Sequence, residues 1–360
     1  MNASVTTPKQ VLFPASVVGS IPRPQFVRDL IADADPHAPD FRRQMEAAVR
    51  YVVAMQERAG LDVVTDGEWW RASYIGVIAE LASGFELSTN PADGRPWTIV
   101  VDRLRPKHTG FIAEEVRFLK SITDRRVKAT LPSPALLGER MWDARKSAAA
   151  YPRREAFVED CAAVLHEELK RLRDEGADIV QIDDPHLCLF VDDQVRAGYD
   201  DPTAASDFAV DMVNRMVDGI EGVKLAVHLC RRAGARARGE AQHAGGYDPI
   251  LDQLNRLNVH HLTMEFTAPE AGDMRIFEQL RPDLEIGLGC VTTTPGQIDT
   301  ADAIVQRVEQ ALQYLAPERI TLNPDCGFAP GSAAKVDIDE VYQKLCHEAE
   351  AARQLRQRHG

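Results

Sequence analysis

The chain has 360 residues, 44% of them hydrophobic and 27% charged, and its 42 basic and 55 acidic side chains leave a net charge of −13. That composition suits a large folded core, and the acidic balance argues against nucleic acid or an anionic membrane as a partner. No stretch has the unbroken apolar run of a membrane span, and MNASVTTPKQVLFPAS lacks the basic start and long apolar core of a signal peptide, so a cytoplasmic location is expected.

In chain order, short apolar runs closed by polar or glycine-rich residues alternate with amphipathic stretches. ASVVGS (15–20) reads as the first strand. DFRRQMEAAVRYVVAMQERAG (40–60) reads as a helix stopped by its glycine, and LDVVTDGE (61–68) as the second strand. PWTIVVDRLRPKHTGFIAEEVRFL (96–119) looks like a β-hairpin inserted in the crossover that follows. VKATLPS (127–133) is the third strand, and the helix REAFVEDCAAVLHEELKRLRDEG (154–176) leads to the fourth, DIVQIDDP (178–185). KLAVHLC (224–230), HLTMEF (261–266) and EIGLGCV (285–291) follow. The helix TADAIVQRVEQALQYLAP (300–317) precedes the eighth strand, RITLNPDCG (319–327). A last helix, from Asp337 to about Gln357, is expected to pack outside. Alternating strands and helices imply an α/β protein with a parallel sheet. Eight such units favour a (β/α)8 TIM barrel, a single catalytic domain over residues 1–360. The alternative, a doubly wound open sheet, wants a glycine-rich phosphate loop after the first strand; VVGSIPRP offers one glycine and then prolines.

In such a barrel the reactive groups sit at the C-terminal ends of the strands. Those ends carry Ser20, Glu68, Ser133, Asp183 with Asp184, His228 with Cys230, Glu265, Thr292 to Thr294, and Asp325 with Cys326. Strands end where polar loops begin in any protein, so the pattern alone is weak. A sharper subset is His228, Cys230, Glu265 and Cys326. Residues i and i+2 of a strand face one side, so His228 and Cys230 project together. Glu265 ends the next strand and Cys326 closes the last. One imidazole, two thiolates and one carboxylate suit tetrahedral zinc, and thiolate sulfur disfavours magnesium or calcium. Against this, a His-x-Cys pair arises by chance, and a buried cysteine is ordinarily a small hydrophobe. The six cysteines show no disulfide rhythm and read as free thiols or metal ligands. Arg231 and Arg232, directly after the zinc strand, are candidate anion binders, whereas Arg236 and Arg238 read better as a solvated basic loop. Trp69 and Trp70 suit a pocket wall or the core equally.

VVGSIPRP, DVVTDGE, QIDDP, HLC, MEF and LNPDCG, in this order, resemble the catalytic barrel of the cobalamin-independent methionine synthases over nearly the whole chain. The resemblance implies one zinc held by His228, Cys230, Glu265 and Cys326, the four residues reached from the strand ends. It implies an acceptor, homocysteine by default, held by Val18, Gly19, Ser20 and Asp183. A family glutamate after the second strand is matched by Trp70, and Glu68, two positions earlier, remains to take part. The family's proton-donating histidine is matched by Thr294, which leaves the proton donor unassigned. Full-length members carry a second, N-terminal barrel that this chain does not match. The implied reaction is methyl transfer to a zinc-activated thiol, giving a thioether such as methionine. Methyl-folate, a methylated corrinoid protein or another alkyl donor could supply the group. The alternative is a thiol alkyltransferase of the epoxyalkane:coenzyme M type. A non-catalytic zinc barrel is a third reading, and the uroporphyrinogen decarboxylase barrel, which needs no zinc, fits the four ligands poorly.

Overall fold

The structure, a computed structural model, describes residues 11–33, 38–71, 73–89, 96–231, 243–329 and 336–360. Its strands are β1 (Val63–Val64), β2 (Ala82–Thr89), β3 (Pro96–Pro106), β4 (Arg126–Pro132), β5 (Ile179–Asp183), β6 (Lys224–Leu229), β7 (His261–Glu265), β8 (Glu285–Val291) and β9 (Ile320–Pro324). Seven of them form one parallel sheet in the order β1-β4-β5-β6-β7-β8-β9. Strict alternation explains how it packs. Val127, Ala129 and Leu131 of β4, like Leu225, Val227 and Leu229 of β6, join the main core shared with the helices. The intervening Lys128, Thr130, Gln181, Asp183, His228, His261 and Thr263 are buried and polar. The sheet therefore turns an apolar face to its helices and a polar face inward. Among the described inward groups, Val63, Ile179 and Ala226 form an apolar cluster of their own.

The first expected strand differs from the observation. Only Ala15 makes a sheet bridge, parallel to Leu322. The Leu322 N–H donates to the Pro14 carbonyl (2.9 Å), and the Asp62 and Val63 N–H groups donate to the Ala15 carbonyl (3.0 and 3.2 Å). Residues 14–16 thus bond to both edges of the sheet, β9 and β1. Beyond them the backbone turns away: the Ile21 N–H donates to Gly67 O (3.1 Å) and Ser20 O accepts from the Phe328 N–H (2.9 Å).

The hairpin expected within 96–119 also needs correction. Its first half is β3, and its second half is the helix Phe111–Lys120. The antiparallel partner of β3 is β2, upstream. β2 reads ASGFELST, a weak strand signal with Gly84 at a left-handed φ of 115° beside a register shift. Only glycine adopts that conformation cheaply.

The helix Pro39–Ala59 starts with proline in its first turn and ends at Gly60, which at φ 102° bonds back to the Gln56 and Glu57 carbonyls. It buries Phe41, Met45, Val49 and Val52, each such side chain contributing about 1.5–3 kcal/mol. The last helix, Ile338–His359, packs against Pro39–Ala59, Ala301–Ala311 and β9. It is pinned by buried polar groups as well as by Val341 and Leu345. Lys344 Nζ donates to Thr294 O (2.8 Å), and Glu348 Oε1 accepts from the Ser16 N–H (2.9 Å). No helix among the described residues is long and apolar enough to cross a membrane.

Candidate active site

Sheet register builds the centre of the site. Asp183, last in β5, pairs directly with His228 of β6. Its Oδ1 lies 2.9 Å from His228 Nδ1 and also accepts from Gln181 Nε2 at 2.8 Å. Gln181 Nε2 reaches the Val18 carbonyl too, at 3.0 Å. A carboxylate only accepts, so Nδ1 carries the proton and Nε2 presents its lone pair. His228 Nε2 is buried with no hydrogen-bond partner among the described residues. Burial disfavours charge on this imidazole, yet the Asp183 hydrogen bond and the neighbouring Cys230 outweigh it and raise its pKa above the ordinary value. Cation binding at Nε2 must therefore displace a proton at low pH.

Cys230 lies two residues on, on the same side, and Cys326 comes from the loop after β9. Their sulfurs are 3.1 Å apart. The donor atoms of His228, Cys230 and Cys326 all lie within 4.8 Å of one another. An imidazole nitrogen and two thiol sulfurs this close together are a donor set for a borderline-soft cation such as zinc. Glu265 is less close. It ends β7, one step beyond the Leu229–Met264 pair of the β6–β7 register, and is fully buried. Its carboxylate does not come within that distance of all three donors, and its charge acts on Arg231, Tyr247 and Cys188.

The second wall is the turn after β1. Gly67 and Glu68 are both left-handed, at φ 69° and 60°. For a glutamate that conformation costs about 1–2 kcal/mol, and the neighbours hold it there. Arg23 Nη2 donates to Glu68 O (2.6 Å), and the Glu68 N–H donates to Asp66 Oδ1 (3.0 Å). Thr130 Oγ1 donates to Glu68 Oε1 at 3.0 Å. Gly19 lets the carboxyl in: a Cβ there would meet Glu68 Oε1 at 2.8 Å. Burial first, then the charge of Asp183, pushes the Glu68 carboxyl up to about 7.

The family model of the cobalamin-independent synthase catalytic domain matches residues 13–354. This chain belongs to that family. The methionine synthase of Pyrococcus abyssi is 29% identical over 357 residues, covering 96% of this chain and 93% of its own. The B12-independent methionine synthase from Shewanella sp. W3-18-1, solved with selenomethionine, superposes with a TM-score of 0.78 at 21% identity, over 96% of this chain and 98% of that one. The vitamin-B12 independent methionine synthase described as putative from Listeria monocytogenes gives a TM-score of 0.72 at 24% identity, over 96% and 99%. At those identities the two structures speak for the fold.

In this cobalamin-independent synthase domain the remaining strand-end residues sort by their contacts. Val18 and Gly19 give their carbonyls to Gln181 Nε2 and Thr65 Oγ1, and Ser20 Oγ accepts from the Ala329 N–H (3.3 Å), which fixes the first turn beside Glu68. Ser133 caps the helix Pro134–Met141, and Asp184 caps Pro185–Leu189. Asp325 Oδ1 accepts from the Phe266 and Thr267 N–H groups (both 3.2 Å), bracing the segment after Glu265. Trp69 is core, fully buried, with Nε1 donating to Ile21 O (3.0 Å); Trp70 packs edge-on against Phe118. Arg231 departs from the anion-binding expectation. Its guanidinium donates to the carbonyls of Gly245 (2.6 Å), Glu270 (3.1 Å) and Ala271 (3.2 Å) and lies over the Tyr247 ring. Those donors are spent on the backbone. Arg232, Arg236 and Arg238 lie outside the described residues.

Sequence reasoning missed three contributors. Gln181, mid-strand in β5, was detectable as a polar residue at an inward position. Arg71 was not: it binds Thr130 O (2.8 Å) and pairs with Glu115 (2.6 Å), a partner 44 residues away. Tyr74 lies near enough to Cys230 and Asp183 that their charge adds to burial in raising its phenol pKa.

Proposed function

We propose that the protein is a zinc-dependent methyltransferase whose acceptor is a small amino-acid thiol, homocysteine by default, and whose product is a thioether such as methionine. The observation that carries this reading is the cluster of His228, Cys230 and Cys326 donor atoms within 4.8 Å of one another, with the carboxyls of Asp183 and Glu68 nearby. His228, Cys230 and Cys326 would hold the zinc, with Glu265 as the fourth, weaker ligand. When bound, zinc lowers the pKa of an incoming thiol so that it reacts as thiolate.

The chain's own residues do the rest. Asp183 and Glu68 form an acidic wall suited to the acceptor's ammonium, which would draw Glu68 back to its ionised form. The turn Val18–Gly19–Ser20 positions the acceptor's backbone end. The methyl donor stays open among methyl-folate, a methylated corrinoid protein and other alkyl donors. Thr294, at the place of the family histidine, has no titratable side chain. The Arg231 contacts weigh against the coenzyme M alternative, because a sulfonate would need a free guanidinium near the thiols. This reading takes residues 1–360 as one cytoplasmic catalytic domain. The bonds of 14–16 to β1 and β9 support a closed (β/α)8 barrel, and cysteines spaced without a disulfide rhythm suit a reducing compartment.

The test has two arms. Elemental analysis is expected to give about one zinc per chain, lost in a Cys230→Ser, Cys326→Ser double variant. Homocysteine and coenzyme M are then each assayed against methyl-folate, methylcobalamin and an epoxide. Protein without zinc, or turnover of coenzyme M with the epoxide but of homocysteine with nothing, sinks the proposal.

A further inference from the structure

We propose a second binding site, for a monatomic anion of chloride size, inside the opposite end of the sheet, walled by Arg126, Lys128, Lys224 and His261. These side chains stand at the starts of β4, β6 and β7, whereas the thiols and carboxyls described above stand at the strand ends. Alternation sends them inward, where they line a cavity of about 10 Å³ shared with Gln181 and Thr321.

Charge decides what the cavity suits. Lys224 is neutralised by Glu285, with Nζ 2.6 Å from Oε2. Lys128 is 3% exposed, and its side-chain bond to Gln181 Oε1 is a long one, 3.3 Å. The carboxylates that act on it are Asp183, already bonded to His228 and Gln181, and Glu348, bonded through Oε1 to the Ser16 N–H. Arg126 has no ion pair among the described residues. Burial pushes the Glu348 carboxyl up to about 8, so at neutral pH it is largely uncharged and positive charge is in excess around the space. Burial first pushes the Lys128 ammonium down to about 7, and burial with the cations Lys128, Lys224 and Arg126 keeps His261 neutral. A neutral imidazole can still donate, and His261 Nδ1 is buried without a partner among the described residues. An anion here would restore the charge on Lys128 and accept hydrogen bonds from groups that have few other acceptors.

Size selects the class. A cavity of this volume holds about one water-sized sphere. A halide is the anion nearest that size, whereas phosphate or sulfate, with four oxygens around a central atom, needs several times the volume.

The full-length protein is melted at constant ionic strength while sodium gluconate, too large to enter, is replaced by sodium chloride. The melting temperature of the parent should rise by roughly 2 °C for each tenfold increase in chloride above Kd. Lys128→Met should abolish the dependence. A parent indifferent to the exchange, or a variant with the same slope, overturns the proposal. If the variant does not fold, crystals of the parent grown in bromide decide. An anomalous peak among the four side chains supports the site, and water alone in the cavity overturns it.

Discussion

Asp183 carries two duties through one carboxylate. Its Oδ1 fixes the His228 tautomer, while the side chain keeps 12% exposure toward the site. In the proposed zinc site, Asp183→Asn would retain an oxygen for His228 but lose the charge that stabilises a ligating imidazole. Partners of this kind are typically worth a factor of about 10–100 in metal affinity. The variant should therefore bind zinc 10- to 100-fold more weakly, by about that factor in a chelator competition, and show a raised KM for homocysteine. Unchanged affinity would mean that packing alone orients the ring. The cap before Pro185, which Asp183 could have supplied, belongs to Asp184. At this scale His228, Cys230 and Cys326 are legible in the sequence because strand period and strand end are local properties. Which of two adjacent aspartates faces the site is not local, since it depends on the register of β5 against β6.

The turn after β1 depends on a neighbouring helix. Glu115, on Phe111–Lys120, accepts from Arg71 through Nε and Nη2 at 2.6–3.1 Å, and both side chains are buried. Arg71 in turn holds Thr130, which holds Glu68. Glu115→Ala leaves a guanidinium buried without its carboxylate, a change that costs about 3–5 kcal/mol. Urea denaturation should show that loss, and activity should fall in the surviving folded fraction because Glu68 loses its support. A loss below about 1 kcal/mol would place the pair among the weak surface kind. Most strands and long helices lie where the periodicity puts them: β4 to β9 and the helices Pro39–Ala59 and Arg154–Asp174 match within a few residues. β2 escaped because its glycine and serines carry no alternation, and its pairing with β3 is made by tertiary contact.

Across the whole molecule, the last helix ties the sheet edge through Glu348. Burial pushes this carboxyl up to about 8, against an ordinary 4.5, with the Ser16 N–H and Lys128 pulling the other way. The native state thus holds the proton longer than the unfolded chain does. Stability from this group is present below about pH 4.5 and lost as pH rises to about 8. Glu348→Gln keeps an oxygen for Ser16 and removes the titration. Relative to the variant, the parent should lose on the order of a few kcal/mol between about pH 5 and about pH 8. Urea midpoints across that range measure it, and a constant difference would contradict the assignment. Lys128 titrates in the opposite sense from about 7 upward, so the comparison is cleanest below neutrality.

The sequence by itself determined the parallel α/β plan, the donor types and their place at the strand ends. Those follow from periodicity and from residue chemistry within a few positions. Tertiary structure alone decided that Arg231 serves backbone carbonyls, that Glu68 sits in a left-handed turn, that Glu265 stands apart from the three-donor cluster, and that cations gather at the far end of the sheet. Each of these depends on partners far along the chain, such as Ser16 and Glu348, 332 positions apart. Local pattern sets which face a side chain takes, but only the register of neighbouring strands and the seating of the helices set what it meets there.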